Sequence, residues 1–271
     1  MLHERISLNP DDKRVFIDTY VHNFGTDRDA ILVIPGGAYR EVCTDREGEP
    51  IALAFVAKGF NAFVLGYRVG NPDDNFPKQL FDAAEAMVYI REHAKELKIN
   101  PRRVFAVGFS AGGHLCGSIS TMWEFPEVKE RFGDKAALVR PTASVLSYPV
   151  TTLYGPTHLN SFKNLLGKPD GDFTDAERER YSLECCVNQN TAPIFIWHTA
   201  EDTVVPAVGS LRLARALIDA NIPSRLSVYP YGKHGSALAN AVTARASDEI
   251  LPMADGWVGE AIDFFKTLAD Y

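Results

Sequence analysis

The sequence has no apolar run approaching the ~20 residues that span a bilayer. Its N-terminus, Met1-Leu2-His3-Glu4-Arg5 followed by Asp11-Asp12-Lys13-Arg14, has no apolar stretch behind the charges and does not read as a signal peptide. Cysteine is scarce. Four in 271 residues (Cys43, Cys116, Cys185 and Cys186) are too few and too scattered for a disulfide framework or a zinc knuckle. The adjacent pair Cys185-Cys186 suits neither an ordinary bridge nor tetrahedral ligation. Reduced, packed thiols in a cytoplasmic protein are the expectation. Basic runs are missing too. Lys+Arg number 28 against 35 Asp+Glu, a net charge of −7, which disfavours nucleic acid and anionic membranes as partners. Repeats, linkers and low-complexity tracts are absent. With 46% hydrophobic and 23% charged residues, the composition is that of a globular protein and excludes disordered and collagen-like classes.

Strands and helices alternate along the whole length. Residues 14–21 read as an early antiparallel strand. Residues 30–34, 61–65, 103–107, 143–147 and 194–197 are short continuous apolar runs, the pattern of parallel strands buried on both faces. Helical spacing covers 49–58, a long stretch from Pro77 to about 98, the segment after Ser110 to about 122, 207–220 and 256–268, and a strand occupies 225–229. Such alternation implies a single doubly wound α/β domain over 1–271, with a mostly parallel sheet and helices on both faces. Residues 151–190 break the rhythm. They carry turn signals at Gly155-Pro156 and Lys168-Pro169-Asp170-Gly171, and Thr174-Asp175-Ala176-Glu177 has capping-box spacing. The segment reads as a loop plus short helical insertion, a minimal cap near the site.

The chemistry concentrates at Gly108-Phe109-Ser110-Ala111-Gly112. A G-x-S-x-G pentapeptide between a buried strand and a helix is the context of a nucleophile elbow. The turn is so tight that the residues two before and two after the serine must be small. It lifts the Ser110 hydroxyl above the strand ends and frees the Ala111 N–H for a developing oxyanion. A serine needs a base. His234, in the glycine-flanked loop Tyr231-Gly232-Lys233-His234-Gly235, follows a strand in the required chain order of serine, acid, histidine. The acid belongs after strand 194–197, where Glu201 and Asp202 compete. Asp202 is favoured because Val204-Val205-Pro206 can fix its loop. His198 precedes that acid, His114 reads as a packed helix residue and His93 as part of a charged helix face. Pro35-Gly36-Gly37-Ala38-Tyr39, after the first parallel strand, offers the Gly37 and Ala38 N–H groups to complete an oxyanion hole. Tyr39, Tyr67, Trp197 and Tyr231 are candidates to line the substrate site.

Together these pieces resemble the α/β-hydrolase superfamily over nearly the whole chain. Gly36-Gly37-Ala38-Tyr39 looks like a variant of the HGGG oxyanion loop of esterases, with Pro35 where those enzymes have histidine. Arg46-Glu47-Gly48-Glu49-Pro50-Ile51-Ala52 and Gly108-Phe109-Ser110-Ala111-Gly112-Gly113-His114-Leu115 look more narrowly like bacterial carbohydrate acetylesterases, the acetyl-xylan-esterase-like, sugar hydrolase and BD-FAE-like group. Tyr67-Arg68, Pro77 and Asp82 are similar to a stretch shared with hormone-sensitive-lipase-like and kynurenine-formamidase-like relatives. The resemblance implies a Ser110–His234–Asp202 triad, no metal and no organic cofactor. It also implies a small ester substrate, an acetylated sugar, and a homodimer or tetramer. An arylformamidase or small-amide hydrolase is the alternative with the same triad. A peptidase or a non-catalytic hydrolase-fold protein ranks lower.

Overall fold

The middle strands carry consecutive apolar residues because the sheet they form is covered on both faces. The computed structural model describes residues 1–268. The strands are β1 (Arg5–Ser7), β2 (Phe16–Tyr20), β3 (Arg28–Ile34), β4 (Asn61–Gly66), β5 (Ile99–Phe109), β6 (Ser144–Ser147), β7 (Ile194–Thr199) and β8 (Ser224–Tyr229). They make one sheet in the order β1-β2-β4-β3-β5-β6-β7-β8. The pairs β1/β2 and β2/β4 are antiparallel, and every other neighbouring pair is parallel. The helices are α1 (Thr44–Glu47), α2 (Glu49–Val56), α3 (Lys78–Glu92), α4 (Ala111–Thr121), α5 (Pro126–Phe132), α6 (Leu159–Leu166), α7 (Asp175–Tyr181), α8 (Leu183–Cys186), α9 (Val208–Asp219) and α10 (Trp257–Thr267).

Side chains alternate across each strand. Leu32, Ile34, Phe63, Leu65, Val104 and Ala106 join the core that holds α3, α4 and α9. Their neighbours Ile31, Val33, Ala62, Val64, Phe105 and Val107 join the opposite core, with α2 and α10. Phe265 of α10 stacks on Phe105 at 4.1 Å between centroids. This is the α/β-hydrolase fold. From β3 the chain passes to β4 on one side, then crosses to β5 on the other. Loops leaving the carboxyl ends of β3 and β5 therefore meet at the point where strand order reverses, the position at which α/β sheets hold their ligands.

Two expectations change. The helix from Pro77 stops at Glu92, not near 98. Lys98 takes φ 52° to turn the chain, and β5 begins at Ile99, pairing with Arg28, four residues before the apolar run that signals it. The 151–190 segment holds three short helices, α6 to α8, not one. The capping box at Thr174 is present, its hydroxyl accepting the Glu177 N–H. Among the described residues no helix is long and apolar enough to cross a membrane. All four cysteines are free, with Cys116 and Cys186 buried and Cys185 exposed.

Candidate active site

Ser110 sits between β5 and α4 with φ 54° and ψ −119°, a conformation that costs an L-residue of order 1–3 kcal/mol. The flanking glycines explain how it is reached. A Cβ on Gly108 would lie 2.2 Å from the Gly112 carbonyl oxygen, and one on Gly112 would lie 2.3 Å from that of Ile34. The serine side chain does not cap the helix it opens. Its Oγ lies 2.8 Å from His234 Nε2, and His234 Nδ1 lies 2.6 Å from Asp202 Oδ2. An ionised carboxylate only accepts, so Nδ1 carries the proton and Nε2 is left to accept the Ser110 hydroxyl.

Asp202 is held from all sides. Its Oδ1 accepts the Val204 and Val205 N–H groups at 2.9 Å each. Its Oδ2 also faces His198 Nε2 at 3.2 Å, and that nitrogen donates to the Val205 carbonyl at 2.8 Å as well. Burial alone would raise this carboxyl, but donation from His198 and His234 outweighs it and holds Asp202 well below the usual range. His198, which chain order set aside, thus supports the acid. The rival Glu201 reaches the Gly232 N–H instead, at 3.2 Å. His114 is packed as expected: it accepts the Tyr39 hydroxyl at 2.8 Å, faces the Tyr181 carbonyl at 2.9 Å, and burial pushes it down to about 4.

The loop after β3 turns through Gly37 (φ 131°), Ala38 (φ 57°) and Tyr39 (φ 56°). A Cβ on Gly37 would meet the Glu41 carbonyl at 2.1 Å. Among the described residues the N–H groups of Gly37 and Ala38 have no acceptor, and Ala111 N–H opens a helix, where no intrahelical acceptor exists. What fixes this loop is Glu47, a residue of the 46–52 stretch to which the motif alone assigned no role. Glu47, 2% exposed, accepts the Gly36 N–H at 2.8 Å and the Tyr148 hydroxyl at 2.9 Å. That same hydroxyl accepts the Ala237 N–H at 2.9 Å, and the Tyr148 ring lies edge-on to His234 at 5.1 Å. Glu47 therefore ties the oxyanion loop to the histidine loop. Burial pushes its carboxyl up, against the Gly36 N–H, Arg46 and the Tyr148 hydroxyl, which hold it down.

A cavity of about 180 Å³ lies over Ser110, bordered by Gly37, Ala38, Arg46, His158, Val204 and His234. The tyrosines expected there are elsewhere. Tyr67 is 1% exposed and donates its hydroxyl to the Pro35 carbonyl at 2.7 Å, so it braces the loop from below. Tyr39 is buried against His114 and borders not this cavity but the one beside it. Tyr231 is 68% exposed outside the cavity, and Trp197 is buried, donating to Ser147. Aromatic size suggested these positions, whereas the fold spends Tyr39, Tyr67 and Trp197 as buried hydrogen-bond donors. His158 borders the cavity without a sequence signal, and Arg46, part of the stretch resembling carbohydrate acetylesterases, had no role assigned, because their loops approach only in the folded chain. Burial and the nearby His234 charge push His158 down.

The BD-FAE family model matches residues 17–217. Endo-1,4-beta-xylanase B of Butyrivibrio fibrisolvens is 39% identical over 254 residues, covering 92% of this chain and 37% of that protein. An acetylxylan esterase of Xylanibacter ruminicola is 32% identical over 209 residues, covering 76% and 40%. The chain thus spans about two fifths of the length of these curated relatives. MGS-M1, an α/β-hydrolase enzyme from a Medee basin deep-sea metagenome library, superposes with a TM-score of 0.80 at 32% identity, covering 100% of this chain and 99% of that one.

Proposed function

This chain belongs to the BD-FAE family, and from that premise we propose that it is a serine carboxylesterase releasing short acyl groups, acetyl above all, from sugars or oligosaccharides. The observation that carries the reading is the unbroken path from Ser110 Oγ through His234 to Asp202, at 2.8 and 2.6 Å. His234 takes the Ser110 proton as the oxygen attacks the ester carbonyl. The Gly37, Ala38 and Ala111 N–H groups receive the oxyanion, and losing one such donor costs about 3–4 kcal/mol. His234 then returns the proton to the leaving alcohol. Water, activated by the same imidazole, hydrolyses the acyl-serine. Asp202 holds the imidazole in the required tautomer and stabilises its charged form.

A cavity of about 180 Å³ over the serine supports a small acyl group. The acetylxylan esterase relative supports an acetylated sugar. Initial rates on p-nitrophenyl esters of increasing chain length test the reading. We expect fast acetate release declining beyond butyrate. Equal rates on long-chain esters would contradict it.

A further inference from the structure

A second cavity, of about 270 Å³, opens beside the oxyanion loop. Arg40 borders both it and the cavity over Ser110. Asn164, in its wall, donates Nδ2–H to the Ala38 carbonyl at 2.8 Å. Residues 38–40 thus form the partition between the two spaces, and a substrate reacting at Ser110 has this second space within reach.

The wall of the second cavity sets polar and cationic side chains among apolar surface from Tyr39, Pro72 and Pro169, the mix by which small-molecule pockets orient a ligand. It includes Arg40, Asn71, Asn75, Lys163 and Asn164, and no Asp or Glu. Lys163, half-buried on α6, forms no ion pair among the described residues. Its neighbour Lys168 takes Glu177 and the Asp172 carbonyl, and the loop acids Asp170 and Asp172 do not bridge to Lys163. Among the described residues Arg40 pairs only with the exposed Glu41, at 3.2 Å. The side-chain amides of Asn71 and Asn75 make no hydrogen bond within the described chain. Such a wall reverses the sign of the molecule around it, whose net charge is −7.

We propose that this cleft binds an anionic sugar unit of the substrate, its carboxylate between Lys163 and Arg40 and its ring hydroxyls on the amides of Asn71 and Asn75. The proposal rests on the esterase activity argued above and names the substrate class within it. A side-chain amide offers two donors and an acceptor, which matches paired hydroxyls. Charge decides between neutral and acidic sugars. A neutral sugar laid over Lys163 strips its water without a counter-charge, which is unfavourable, whereas a carboxylate replaces that water with an ion pair.

The test compares kcat/KM for acetate release from acetylated xylo-oligosaccharides of matched length with and without a hexuronic acid branch. At low salt the acidic substrate is preferred by about 5-fold, and the preference shrinks as salt screens the pair. Lys163→Met brings the ratio close to one, while Lys163→Arg retains it. Melting curves of both variants establish that they fold, and the wild-type salt dependence stands even where a variant does not. A wild-type ratio at or below one overturns the proposal, as does a preference that survives in folded Lys163→Met. Turnover of p-nitrophenyl acetate with no acetate released from either oligosaccharide also overturns it, leaving the esterase chemistry standing. Failure on all three substrates removes the esterase reading itself.

Discussion

Glu47 shows how a residue can govern a site without touching substrate. Its two oxygens take one donor each, Gly36 N–H on the oxyanion side and the Tyr148 hydroxyl on the histidine side. Glu47→Gln keeps the shape but turns one acceptor into an NH₂ donor facing a donor. Leaving a buried donor unpaired costs about 1–3 kcal/mol. The loss falls on the loops that meet the oxyanion, so kcat drops about 10-fold on p-nitrophenyl acetate with KM little changed. Steady-state kinetics check this, and an unchanged kcat would show that the loop holds its shape without the carboxylate. The meeting of Ser110, Asp202 and His234 was legible in the sequence because the elbow demands glycine at fixed spacing and the fold demands a fixed chain order. Arg46 and Glu47 stood in the stretch that resembles carbohydrate acetylesterases, but their roles, like that of His158, were not legible, because the partners that define them lie far along the chain. Tyr67 and Tyr148 differ in the same way: the sequence offered Tyr67 as a lining residue, and only its 2.7 Å bond to Pro35 reveals a brace.

At the scale of elements, the turn between β5 and α4 carries the tightest constraint. A methyl on Gly112 meets the carbonyls of Ile34 and Pro35 at 2.3 and 2.4 Å, and backbone cannot swing aside as a side chain can. Gly112→Ala is therefore expected to destabilise the protein by more than about 3 kcal/mol, in the range of severe core disruption. Gly259 gives the contrast. It lies inside α10, exposed, and among the described residues an added Cβ meets nothing within 4 Å beyond its chain neighbours and its own helix backbone. Gly259→Ala should stabilise by about 0.5–1 kcal/mol through helix propensity. Urea unfolding of both variants checks the pair, and two shifts of the same sign would contradict the contact argument. Buried strands such as β3, β4 and β7 were read nearly to the residue, because continuous apolar runs between turn signals have few other uses. The end of α3 was misread, because residues 93–98 are good helix formers and only the pairing of Ile99 with Arg28 ends the helix.

At the scale of the molecule, the sheet order gathers loops distant in sequence at one end. The loops after β3, β5, β7 and β8 supply the proposed oxyanion donors, Ser110, Asp202 and His234. Strand–helix alternation made that architecture legible, since two covered faces require apolar strands and amphipathic helices in turn. The cleft beside the site was not legible, because Arg40, Asn71 and Lys163 come from separate loops and helices and share a wall only after folding. The central claim is that Ser110 is a nucleophile activated by His234. The most direct test treats the intact protein with a fluorophosphonate and maps the adduct by mass spectrometry. The account predicts one adduct per chain, on Ser110, lost in Ser110→Ala and slowed by orders of magnitude in His234→Ala. Hydrolysis of acetyl esters that persists in Ser110→Ala, or labelling at another residue, would contradict it.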